Sequence, residues 1–218
     1  MTDKEKLSCV DCGTSVCGTK DEAKYPPFCM TKRLSDELIA EVTDIYLHDE
    51  EANRISYESA LIENEFYGKY TRVEETVEFM TRMGYKKIGI ATCGGLLDEA
   101  RTYARILRAH DFEVVTVCCK IAVFDKSLVG VPDEKKMNGG CGHESMCNPV
   151  MQAKVLAENK CDFVVVIGLC VGHDTLFFKY NTIPATVLVA KDRVLCHNPV
   201  AALYQAKTGY SRFKKELG

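Results

Sequence analysis

The sequence predicts a Rossmann-like, three-layer α/β domain with a mainly parallel sheet of about four strands. Two observations carry that expectation. Runs of β-branched and apolar residues recur between helical stretches, and they are continuous rather than alternating, as in strands covered on both faces. Their strand–helix–strand order calls for right-handed crossovers between parallel neighbours. The chain has 218 residues, 46% of them hydrophobic and 27% charged, which is enough for one such domain with its own core plus a small appendage.

The strands read as Lys87 to Thr92, Glu113 to Cys118, Phe163 to Gly168 and Ala185 to Ala190. Helices are expected from Gly95 to His110, from Pro149 to Asn159 and from Pro199 onward. Asn148-Pro149-Val150 and Asn198-Pro199-Val200 repeat one step, with Asn suited to cap a helix and Pro to its first turn. Residues 120–147 form a long loop carrying Gly139, Gly140 and Gly142, a length associated with function.

Two further regions precede the first strand. Ser35 is placed to cap a helix whose Leu38, Ile39, Val42, Ile45 and Tyr46 share one face. Ala52 to Phe66 and Arg72 to Met83 continue as amphipathic helices, with Gly84 as the stop. Residues 1–33 differ, with four cysteines, Tyr25-Pro26-Pro27 and little periodicity. A segment this short cannot bury enough apolar surface to fold alone, so a bound metal is expected to supply the missing free energy. The chain is therefore read as a metal-binding segment over 1–33 and an α/β domain over 34–218.

A formal net charge of -3 argues against a nucleic-acid partner. No apolar run approaches the roughly 18 residues of a membrane span. Met1 to Leu7 is polar and lacks the apolar centre of a signal peptide, which points to a cytoplasmic protein. Twelve cysteines are the unusual feature. In a reducing compartment clustered cysteines read as metal or redox sites rather than disulfides.

Cys9, Cys12, Cys17 and Cys29 make C-x2-C-x4-C-x11-C. A two-residue gap lets both sulfurs of a turn face one ion, and four thiolates suit zinc or an iron–sulfur cluster. A second set lies where strands end: Cys93 after the first, Cys118 and Cys119 at the second, Cys170 after the third. Ligands of open parallel sheets bind at that edge. Cys147 precedes the helix opened by Asn148-Pro149, where free N–H groups lower a thiol pKa. Alternation sends Cys118 and Cys119 to opposite faces, and Cys119 is nearer the loop. Cys93, Cys119, Cys147 and Cys170 are thus the expected second site, with an iron–sulfur cluster, 4Fe–4S, as its occupant. Cys161 is expected in the core, Cys141 and His143 in a solvated loop, and Cys196 is left open. His173, Lys191 and His197 approach the same edge as candidate catalytic groups, and Lys191 or Arg193 suits an anionic substrate.

Taken together, the N-terminal cysteines with Tyr25-Pro26, Met146-Cys147-Asn148-Pro149, Gly168-Leu169-Cys170-Val171-Gly172-His173-Asp174, Lys191-Asp192-Arg193 and His197-Asn198-Pro199 carry a resemblance. The chain resembles a family of uncharacterised cysteine-rich metal-binding proteins, the domain of unknown function 1847, common in anaerobic microbes. The resemblance implies metal binding and an anaerobic setting, and no particular reaction. Three functions follow as expectations: an iron–sulfur enzyme acting on a small molecule by redox or sulfur-removing chemistry, an electron-transfer module serving a redox partner protein, or a zinc or iron carrier or sensor.

Overall fold

The computed structural model describes residues 7–213, so the polar stretch from Met1 lies, apart from Leu7, outside the described residues. The chain divides into two compact units, Met1–Leu61 and Ile62–Gly218.

The second unit holds a four-stranded, all-parallel sheet in the order β2-β1-β3-β4, from β1 (Lys87–Thr92), β2 (Glu113–Cys118), β3 (Phe163–Ile167) and β4 (Ala185–Val189). Apolar residues cover both faces, as the unbroken β-branched runs require. On one face Ile88, Ile90, Phe163, Val165 and Ile167 meet Val77 and Met80 of α3 (Arg72–Met83) and Ala100, Tyr103 and Leu107 of α4 (Leu97–Ala109). On the other, Ala91, Val117, Val164 and Val166 meet Ala153 and Leu156 of α5 (Pro149–Glu158) and Phe177 of α6 (His173–Tyr180). Cys161 is buried in this second layer. This is the expected three-layer α/β architecture.

Helix ends follow local chemistry. Thr71 and Glu74 form a capping box at the start of α3, and Gly84 ends it in a left-handed conformation. Asn148 Oδ1 accepts the Met151 N–H at 3.0 Å and Pro149 opens α5. The second Asn-Pro-Val step works differently: Pro199 itself is the cap, and α7 (Val200–Tyr204) is a single short turn behind it. Arg72 reaches from α3 to β4, donating to the Val187 carbonyl at 2.8 Å and Thr186 Oγ1 at 3.0 Å. It thereby covers backbone on the sheet's outer strand, an edge that would otherwise invite pairing with another chain.

In the first unit α1 (Asp36–His48) starts where Ser35 Oγ accepts the Leu38 N–H at 3.2 Å, as expected. Its apolar stripe, however, buries none of its members, and Leu38, Ile39, Val42 and Ile45 are 42–48% exposed. Periodicity correctly marks the helix, but burial also needs a second apolar layer. The following α2 (Glu50–Phe66) is polar, and its one buried residue, Ile62, is the first of the second unit.

Candidate functional site

The thiols of the second unit are placed by backbone stitching at the carboxyl edge of the sheet. Cys93 follows β1 and donates its N–H to the Ile167 carbonyl of β3 at 3.2 Å. Cys119 follows β2, donates to Thr92 O at 2.9 Å and accepts the Asn148 N–H at 2.7 Å. That last bond holds Cys147, at the mouth of α5, against the end of β2. Gln152, fully buried on α5, donates through Nε2 to both the Thr92 carbonyl at 3.1 Å and the Val117 carbonyl at 2.7 Å. The ends of β1 and β2 and the first turn of α5 are thus locked together, and three cysteines leave from the lock.

Those three thiols interact with one another. Cys119 Sγ is buried and accepts the Gly94 N–H at 3.4 Å. Its thiol is hydrogen-bonded to Cys147, and this pairing together with burial pushes Cys119 far above the ordinary thiol range. The same hydrogen bond brings Cys147 down to about 5, against the opposing effect of burial and with help from the charges of Lys120 and His173. Burial works against the Cys93 thiolate too. There it is outweighed by the Gly95 N–H, the Lys191 ammonium and the Cys119 thiol, so Cys93 is also lowered. Lys191 Nζ lies 3.4 Å from Cys93 Sγ. The cluster thus lowers the thiols of Cys93 and Cys147 and raises the Cys119 thiol between them.

Two glycines make room for this arrangement. A Cβ on Gly95 would stand 3.3 Å from Lys191 Nζ. Gly168, at φ +68°, lies under Leu96, whose Cδ1 a Cβ would overlap, and beside the Lys191 stem.

Of the other expected residues, Cys170 is tied to Arg193, whose Nη2 lies 2.8 Å from its Sγ. His173 opens α6, and its Nδ1 is buried with no partner among the described residues. His197 is used differently: its Nδ1 accepts the Asp192 N–H at 3.1 Å, while Asp192 Oδ1 caps Val194 and Leu195. It holds the turn after β4. Lys120 is a cation the sequence reading passed over, since a lysine after a strand resembles any surface lysine. Gln152 was missed for a similar reason: a helical Gln carries no motif. Among the described residues no three cysteine, histidine or carboxylate groups stand close enough to hold a metal ion as they are.

The N-terminal cysteines sit on short 3-10 turns, Cys9–Asp11, Val16–Thr19 and Met30–Arg33, with Cys29 as the cap of the last. Cys9 and Cys17 are exposed, Cys12 and Cys29 half-buried, and the turns bury nothing. The Thr14 hydroxyl lowers Cys12. Cys29, opposed by desolvation, is lowered by the Thr31 hydroxyl and backbone.

No helix among the described residues is long and apolar enough to cross a membrane. Among solved structures, the crystal structure of Dph2 from Pyrococcus horikoshii matches with a TM-score of 0.36 and 17% identity, over 66% of this chain and 32% of that one. An uncharacterized protein of Methanocaldococcus jannaschii is 42% identical over 198 residues, 91% of this chain and 94% of its own length. With that relative, and with residues 29–188 matching the family described as "Protein of unknown function (DUF1847)", this cysteine-rich chain belongs to that family.

Proposed function

We propose that Cys93, Cys119 and Cys147 hold a thiolate-bound metal group, an iron–sulfur cluster of the 4Fe–4S type, beside a binding place for a small anionic substrate. One observation supports this above the others: three thiols from three segments meet, two lowered and the third raised by its neighbour. The Cys119 thiolate is disfavoured there by its Cys147 neighbour and by burial, and a bound soft cation would offset both. The Gly94 N–H already directed at Cys119 Sγ is the kind of bond that tunes a cluster sulfur. Such a group supplies one-electron transfer, or an open metal position that binds substrate sulfur or oxygen.

The chain's own residues supply the rest. Lys191 and Arg193 orient an anionic group, Arg193 by its planar fork and Lys191 as a point charge. His173 holds or delivers a proton at its unpartnered Nδ1. These polar groups favour an enzyme over an electron carrier, which needs no substrate-orienting cations. Cys170, held by Arg193, is the fourth sulfur at this edge. The N-terminal Cys9, Cys12, Cys17 and Cys29 are assigned to a separate four-thiolate site, zinc or cluster, of structural role. Twelve cysteines, none in a disulfide, suit a reducing cytoplasm.

The test is anaerobic purification or reconstitution of the full chain with Cys9 and Cys12 both changed to Ser, which isolates the sheet-edge site. Bound iron, acid-labile sulfide and a thiolate charge-transfer absorption are expected, and all three are lost on adding Cys147→Ser. Absence of iron and sulfide, or their full retention in the Cys147→Ser variant, refutes the reading.

A further inference from the structure

Beside the thiol site, the loop between β2 and α5 carries a second constellation. Ser145 Oγ lies 2.9 Å from His143 Nε2, and His143 Nδ1 lies 3.4 Å from Asp125 Oδ2. Nε2 is hydrogen-bonded to the hydroxyl, and Nδ1 faces the carboxylate at ion-pair distance. The order is nucleophile, base, orienting acid. Such a triad is recognised by geometry and roles, and looser distances are usual before substrate binds.

The carboxylate is firmly held. Asp125 Oδ1 accepts the Ser127 N–H at 2.8 Å and the Lys136 ammonium at 2.9 Å, and Oδ2 accepts the Glu144 N–H at 2.7 Å. Lys136 is buried, its side chain 4% exposed. These bonds, with the Ser127 N–H foremost, keep Asp125 far below the usual carboxylate range. The nucleophile is held as firmly. An antiparallel bridge pairs Asp125 with Ser145, flanked by Lys126 N–H to Glu144 O at 3.0 Å and Met146 N–H to Phe124 O at 2.7 Å. Lys126 and Glu144 add an ion pair. The bridge fixes the spacing of acid and serine, and His143 spans it. Lys120 Nζ, 2.6 Å from the Ser145 main-chain carbonyl, ties that backbone to the end of β2.

We propose that Ser145, His143 and Asp125 form a nucleophilic triad that hydrolyses small acyl esters. Ser145 Oγ attacks the acyl carbon as its proton passes to His143 Nε2. The bond to the leaving alcohol breaks, and that oxygen takes the proton from His143. Water then attacks the acyl-serine, gives a proton to His143 and releases the acid, and the proton returns to Ser145. Asp125 orients the imidazole and stabilises its charged form. His143 is half-exposed on the loop, so the substrate is small and approaches from solvent.

The probe is a fluorophosphonate, which reacts with activated serines, with the label mapped by mass spectrometry so that thiol reactions are not mistaken for it. The full chain is expected to be labelled at Ser145 and to cleave p-nitrophenyl acetate. Ser145→Ala abolishes the label. His143→Gln keeps a hydrogen-bonding side chain in the loop but cannot take a proton, and slows labelling by about 100-fold or more. No label at Ser145 in the wild-type chain overturns the proposal. So does a labelling rate that His143→Gln leaves unchanged, which is the result for a histidine that merely ties the loop.

Discussion

The hydrogen bond between the Cys119 and Cys147 thiols sets the chemistry of the sheet edge, and its effect is open to direct titration. With Cys147 lowered to about 5, the metal-free protein keeps this side chain as thiolate across the neutral range. Its alkylation by iodoacetamide is expected to run at a constant rate down to about pH 6 and to halve near the lowered value, whereas an ordinary thiol loses rate below about pH 8.5. Cys119→Ala removes the largest cause of the shift and should move the midpoint upward. An unmoved midpoint would assign the shift elsewhere. Gly168 permits a second test at this scale. Gly168→Ala adds a methyl group at a positive φ and into Leu96, and should destabilise the fold by about 2 kcal/mol or more, read as a lower thermal midpoint. The sequence marks Cys93 and Cys119 because strand ends are legible from β-branched runs, and Cys147 because Asn148-Pro149 is a legible helix start. It does not mark His197 as a turn residue, since its use depends on the path of the chain back to Asp192.

Among the elements, α5 organises the site more than any strand does. Its cap, Asn148, binds the end of β2, and its buried Gln152 ties β1 to β2. Gln152→Leu keeps the volume but removes the side-chain donor from the Val117 carbonyl and leaves the Thr92 carbonyl with the Cys119 N–H alone. The expected cost is about 1–3 kcal/mol in chemical denaturation, with weaker metal retention at the sheet edge. A variant as stable as wild type would show that the two bonds contribute little. Most of the sheet and helices could be read from periodicity and caps, because each such signal lies within a few residues of the feature it marks. Two features could not. The α6 helix follows a Gly-rich strand exit, and its eight residues are too few for periodicity to mark its extent. The exposure of α1 depends on what the rest of its unit lacks, which no local pattern records.

The whole chain joins a unit rich in turns to a unit with a two-sided core. From Cys9 to Arg33 the N-terminal turns bury no side chain, so apolar packing contributes little there. A bound metal would then govern the order of this segment. Limited trypsin digestion should cut at Lys20 and Lys24 in chelator-treated protein and spare them after loading with zinc or iron. Equal cutting in both states would show that the four cysteines hold no structural metal. The strand order has a further consequence, which lies in time. β2 pairs with β1 directly after it is made, but β3 enters on the opposite side of β1 only after the long loop and α5 have been synthesised. The Ile167 carbonyl that fixes Cys93, and the Lys191 and Arg193 cations beyond it, come later still. A nascent chain therefore carries Cys93 for a period without the Ile167 carbonyl and the Lys191 ammonium that engage it in the finished fold, while Cys119 and Cys147 already have their Thr92, Gly94 and Asn148 partners.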